Sequence, residues 1–102
     1  MRTEMFKAFC IRLKEELDKR INGSIFVESH PKANCVLVKI KSNGFFWTRL
    51  IYDVEEGLSS DPKYKETITA EVIKYFKRDV FSLYIKDYDK SKPYIEATLI
   101  NY

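Results

Sequence analysis

Histidine occurs once, cysteine twice, and glycine and proline three times each in this chain of 102 residues. Each scarcity excludes something. One histidine and two cysteines cannot close a zinc site, which needs four such ligands. Cys10 and Cys35 are too few and too far apart for the disulfide framework of a small secreted domain, so both read as buried, unreactive thiols in a reducing compartment. So little glycine and proline argues against disorder and low complexity, and no glycine-rich phosphate loop is present. No apolar run approaches the ~20 residues of a membrane span. Arg2, Glu4, Lys7 and Arg12 break what would have to be the apolar core of a signal peptide. The expectation is a soluble, cytoplasmic protein with no membrane partner.

A charge of one sign is also missing. The net charge is +3. Residues 1–60 carry ten basic and eight acidic groups, and residues 61–102 carry eight and seven. A dedicated nucleic-acid binder shows a more one-sided balance. What the chain has in quantity is aromatic surface, 15% of residues, with seven Phe and seven Tyr. That supplies a core and leaves rings for the surface.

Residues 4–21 read as an amphipathic helix. Phe6, Cys10, Leu13, Leu17 and Ile21 recur at helical spacing, with Met5 and Phe9 widening the stripe. Thr3 is the expected cap, and Asn22-Gly23 the stop. Residues 24–29 form a strand, and Pro31 holds the next connection out of the sheet. Residues 35–41 and 45–54 are two further strands. Asn43-Gly44 between them suits a type I′ turn, which needs positive φ at both central positions. Glu55 to Asp61 reads as a polar loop. Asp61-Pro62 can open the next helix, with Thr67 a second candidate cap. That helix runs to about Lys86. After a breaker-rich loop from Tyr88 to Pro93, residues 94–101 alternate as a short last strand. The fold expected is a single α+β domain over residues 1–102: helix, three antiparallel strands, helix, short C-terminal strand, with both helices packed on one sheet face.

A two-residue turn fixes a register of Ser42 with Phe45, Lys41 with Phe46, Ile40 with Trp47, and onward to Val36 with Ile51. One face then holds Val36, Val38, Ile40, Trp47 and Ile51, with Arg49 its only charge. This face should meet the helices and bury Trp47. The other holds Lys39, Lys41, Phe46 and Thr48 near the turn, and Leu37 and Leu50 further in. Two readings stay open for it: a solvated sheet face kept soluble by its lysines, or a binding surface whose exposed ring beside cations suits an acidic protein or stacked bases.

Nothing assembles into a catalytic constellation. His30 stands in a turn and Cys35 follows five residues later. They could pair as base and nucleophile, but no orienting third group is evident and Cys35 opens an apolar strand. Asp53, Glu55, Glu56 and Asp61 lack the alternating ligands and central glycine of a calcium loop. The expectation is a protein that is not an enzyme and uses no cofactor.

In element order, residues 4–86 resemble the double-stranded-RNA-binding domain, which implies nucleic acid as a partner. That family opens its second helix with a lysine cluster gripping phosphates. Here Lys63 and Lys65 are split by Tyr64 and followed by Glu66, so the binding residues are not carried across. In size, order and composition the whole chain resembles small phage and mobile-element proteins, the anti-CRISPR inhibitors among them. The resemblance implies a protein-binding inhibitor acting on a host or phage protein or a ribonucleoprotein. Several such inhibitors are acidic DNA mimics. This chain, at a net charge of +3, does not share that acidity, which argues against mimicry and leaves direct blocking of a protein surface open.

The second helix carries apolar residues on two sides. On a wheel advancing ~100° per residue from Ile68, the residues Val72, Phe76, Val80 and Leu83 fall between about 40° and 120°. Phe81 and Ile85 fall near 220° and 260°, among Lys74, Lys77 and Arg78. Either the C-terminal segment covers Phe81 and Ile85, or they form a partner or homodimer site with those three cations as its rim.

Overall fold

A computed structural model describes residues 2–42 and 44–87, with side chains as far as Val80. The strand expected over 94–101, the loop before it, and the side chains of Phe81 and Ile85 lie outside the described residues. The order of elements is α1 (Arg2–Arg20), β1 (Ser24–His30), a 3-10 turn (Pro31–Ala33), β2 (Cys35–Ser42), β3 (Phe45–Tyr52), α2 (Val54–Ser60) and α3 (Tyr64–Asp87). The three strands form one antiparallel sheet in the order β1-β2-β3.

The β2–β3 register is the one expected from a two-residue turn, from Ser42↔Phe45 to Cys35↔Tyr52. Gly44 takes φ +82, a conformation that costs glycine nothing. Alternation along the strands sends Ile25, Val36, Val38, Ile40, Trp47 and Ile51 to one face, where all are buried. The α1 stripe of Phe6, Phe9, Cys10, Leu13, Leu17 and Ile21 and the α3 stripe of Ile68, Val72, Phe76 and Val80 join them in one core. Both long helices therefore pack on one face of the sheet.

Trp47 sits at the centre of this packing, 8% exposed. Its ring meets Phe76 edge-on, with centroids 5.6 Å apart, and its indole Nε1 donates to Asp79 Oδ2 at 2.7 Å. A buried indole keeps its polar edge satisfied in this way. Arg49, the lone charge on the inner face, donates to Glu71 Oε1 at 3.1 Å and lies over the Tyr75 ring. Both cysteines are free and buried. Burial pushes the Cys10 thiol up to about 11, since desolvation disfavours the thiolate.

Three local expectations are corrected. Thr3 lies inside the first turn of α1, which begins at Arg2. The third strand stops at Tyr52, and Val54 is instead the buried first residue of α2. The supposed loop from Glu55 to Asp61 is largely α2. Its cap comes from elsewhere in the chain. Asp53, the residue before α2, has φ 54 and makes no capping bond of its own. Asn34, also left-handed at φ 53, receives Val54 N on its backbone oxygen at 3.3 Å and Glu55 N on its Oδ1 at 2.8 Å. Its Nδ2 donates to Glu56 at 2.7 Å. Two orphan amides of a helix start are thus satisfied from the turn before β2. Arg2 adds a bond to the Pro31 oxygen at 3.0 Å and an ion pair with Glu55. At the next helix, Asp61 accepts from Lys63 N at 2.9 Å and from the Thr67 hydroxyl at 3.2 Å; Thr67, the second candidate cap, lies inside α3 and caps no amide.

Candidate binding face

Among the described residues, no helix covers the second face of the sheet. The two registers arrange it as four rows across β1, β2 and β3: Ser24–Lys41–Phe46, Phe26–Lys39–Thr48, Glu28–Leu37–Leu50 and His30–Cys35–Tyr52. Lys39, Lys41, Phe46 and Thr48, read from sequence as one candidate surface, do lie together here. Phe46 is 77% exposed, Tyr52 64%, Phe26 57% and Leu50 43%. The ammonium of Lys41 stands 5.1 Å from the centroid of the Phe46 ring. Lys39 donates to Glu28 at 2.9 Å, and with His30 it holds the Glu28 carboxyl below the usual range. Between Phe26 and Phe46 lies a shallow hollow of about 280 Å³ whose floor is the lysine-bearing stretch of β2.

Sequence reasoning missed Phe26 and Tyr52. Parity was the available signal. Ile25 and Val27 face the core side, so Phe26 between them points outward. Tyr52 shares its parity with Phe46, Thr48 and Leu50.

The residues of α3 divide. Lys74 and Arg78 gather on Tyr75, 5.7 Å and 4.5 Å from its ring centroid, with the Arg49 guanidinium at 4.0 Å. Lys77 lies about 160° round the helix from Tyr75, on the side away from that ring. Arg78 also donates to Asp79 at 3.1 Å. Asp79 is held below the ordinary carboxylate range first by the Trp47 indole and then by Arg78. Arg49, Tyr75, Arg78, Glu71 and Asp79 thus form a charged ridge along the β3 side of α3, which sequence spacing alone did not reveal.

The Cys35–His30 pairing considered from sequence is a cross-strand pair in the register. His30 Nε2 lies 3.7 Å from Glu28, and Cys35 is only 6% exposed. Of the lysines matched to the double-stranded-RNA-binding pattern, Lys65 is turned to Glu16 at 3.9 Å and Glu66 at 3.6 Å. No described helix is long and apolar enough to cross a membrane. Compared with protein-family models, with curated proteins and with solved structures, the chain matches none.

Proposed function

We propose that this chain is a non-enzymatic protein-binding module that occludes a surface of its partner with the open face of its sheet. The observation carrying the reading is the exposure of Phe46, Tyr52, Phe26 and Leu50 on that single face. Leaving such side chains in water forgoes roughly 1.5–3 kcal/mol each. Four exposed apolar side chains on one face call for an explanation that a single exposed residue such as Ile11 on α1 does not. The interleaved Lys39 and Lys41 favour a partner that sets acidic groups among its apolar ones. With the resemblance in size, element order and composition, we read the chain as a cytoplasmic inhibitor of the phage, anti-CRISPR-like kind, whose target is a host or phage protein or a ribonucleoprotein.

One observation favours a second reading. A lysine poised over an exposed ring on an open sheet also suits stacked single-stranded bases. Affinity separates the two. Phosphate contacts release counterions, so nucleic-acid binding falls steeply with salt, while an apolar protein interface holds. The test is capture from host lysate by the wild-type chain and by the Phe26→Ala/Phe46→Ala double variant, at low and high salt. The expected result is a protein held through high salt by the wild type and lost by the double variant, whose melting temperature stays unchanged. A partner retained by the double variant removes this face from the function. A partner that is nucleic acid, released by salt, replaces the first reading with the second.

A further inference from the structure

The other feature of the sheet that calls for a partner is its β3 edge. In an antiparallel pair, residues alternate between those that exchange hydrogen bonds with the neighbouring strand and those that do not. The two-residue turn closes on the Ser42–Phe45 pair, so Phe45, Trp47, Arg49 and Ile51 bond to β2. The N–H and C=O groups of Phe46, Thr48, Leu50 and Tyr52 then point away from the sheet. Among the described residues no backbone group pairs with them. β3 is rich in aromatic and branched residues and has no proline, and its one inward charge, Arg49, is already bound to Glu71. Such an edge is a template for strand addition.

Beside this edge runs a groove of about 440 Å³, bounded by β3 from Arg49 to Asp53, by Glu56 and Gly57 of α2, and by Glu71 of α3. Charge along the edge is polarised. At the Trp47 end the α3 ridge presents Arg78 and Lys74 beside one carboxylate, Asp79, for a net positive charge. At the Tyr52 end the groove presents Asp53, Glu56 and Glu71 against one cation, Arg49, for a net negative charge. A polarised edge complements itself when a second copy runs antiparallel to it, because each basic end then meets the other's acidic end.

We infer that β3 pairs with β3 of a second copy of this chain about a twofold axis at Leu50, making one continuous six-stranded sheet. An isologous contact requires that kind of self-complementarity. The register follows from two constraints. Outward groups must bond outward groups, which allows dyads at or between Thr48 and Leu50. A dyad at Arg49 sets two arginines opposite each other, which is destabilising, and a dyad at Thr48 brings Arg49 to the other copy's Trp47, below its Arg78. A dyad at Leu50 places Thr48 against Tyr52, Arg49 against Ile51 and Trp47 against Asp53. The two α3 helices then lie antiparallel, with Arg78 of each facing Glu71 of the other. The open faces merge into one surface, so the dimer presents the proposed binding face twice. This inference concerns a different surface from the binding reading, and either can fail alone.

The test uses the full chain. In wild-type protein, amide hydrogen exchange and sedimentation are followed from roughly micromolar to millimolar concentration. Exchange at Thr48, Leu50 and Tyr52 should slow by about tenfold or more as dimer forms, because exchange there tracks the monomer population, while Phe46 stays fast. Arg78→Glu and Glu71→Arg should each be monomeric, since each sets like charges face to face at both ends of the interface. Mixed, they should associate as a heterodimer. Fast exchange at all three amides with a monomer at the highest concentration overturns the inference. So does protection that is independent of concentration, which would show the chain covering its own edge. A dimer whose edge amides stay fast places the contact elsewhere and also overturns it. The wild-type exchange result decides the matter even where Glu71→Arg, placed beside Arg49, fails to fold.

Discussion

The two faces of this sheet are built from the same strands and both carry large apolar side chains, yet these have opposite fates. Trp47 and Phe46 are neighbours in sequence; one is 8% exposed and the other 77%. Ile51 and Leu50 divide in the same way, at 6% and 43%. Hydrophobicity does not separate the members of either pair. Parity does, together with what lies across from each face: two amphipathic helices on one side and, among the described residues, no element on the other. The comparison teaches that strand parity and the covering helices, not hydrophobicity, decide which of these side chains are buried.

The sharpest way to break that comparison is to truncate both neighbours. Trp47→Ala removes a ring packed on Phe76 and strands the Asp79 carboxylate without its indole donor, and should destabilise the fold by about 3–5 kcal/mol. Phe46→Ala should change stability by no more than about 0.5 kcal/mol, as a surface substitution does. Urea melts of the two variants measure both, and native Trp fluorescence should be blue-shifted from that of indole in water. Equal losses would mean that the outer face is also packed.

Much of this contrast is legible in the sequence. Asn43-Gly44 sets the β2–β3 register, the register sets the faces, and the helical stripes identify the face that is covered. What cannot be read there is whatever depends on residues distant along the chain. α2 is short and holds Gly57, and the residue preceding it offers no capping bond, so its local signals are those of a loop. Its start is secured by Asn34, some twenty residues earlier. The ridge on α3 is hidden for the same reason. Lys74 and Arg78 read as a rim for Phe81 and Ile85, whose side chains lie outside the described residues; their approach to Tyr75, and that of Arg49 from β3, has no signal in the spacing.

Gly57 offers the next largest effect. A Cβ there would sit 2.1 Å from Tyr64 Cε1, so α2 approaches the start of α3 only because this position has no side chain. Gly57→Ala should cost about 1–3 kcal/mol, the range of overpacking. Tyr64→Ala in the same chain should recover part of it, since the two changes share one contact. Additive losses would show that Tyr64 does not set this approach.

The cysteines sharpen the comparison from the chemical side. Cys10 faces the core and its thiol is pushed up to about 11 by burial, so almost no thiolate forms near pH 8. Native protein should label with a thiol reagent at a rate set by unfolding, at least about a hundredfold slower than urea-unfolded chain. Cys35 shares the parity of the open face but is buried between His30 and Tyr52. Its labelling should be slow as well, and faster than that of Cys10, because its register neighbours His30 and Tyr52 end their strands. Equal rates at both positions would deny that the two faces differ in local stability.

The smallest expected effect is one of pH, and it lies where the inner face meets the α3 ridge. Asp79 is held below the ordinary carboxylate range by the Trp47 indole first and by Arg78 next. A carboxyl depressed in the folded state stabilises the fold above its unfolded value of about 3.9, and that contribution is lost as pH falls through the folded value. Trp47→Phe keeps a ring against Phe76 but removes the Nε1 donor, so Asp79 should titrate higher in the variant. The Asp79 side chain is 40% exposed, and solvent screening keeps the difference below about 1 kcal/mol. The expected observation is a gap in stability between wild type and Trp47→Phe that is widest at neutral pH and narrows as pH falls below about 4. A gap of constant size across that range would mean that Trp47 contributes packing alone, and that the bond to Asp79 does not tie the inner face of the sheet to the charged ridge beside the β3 edge.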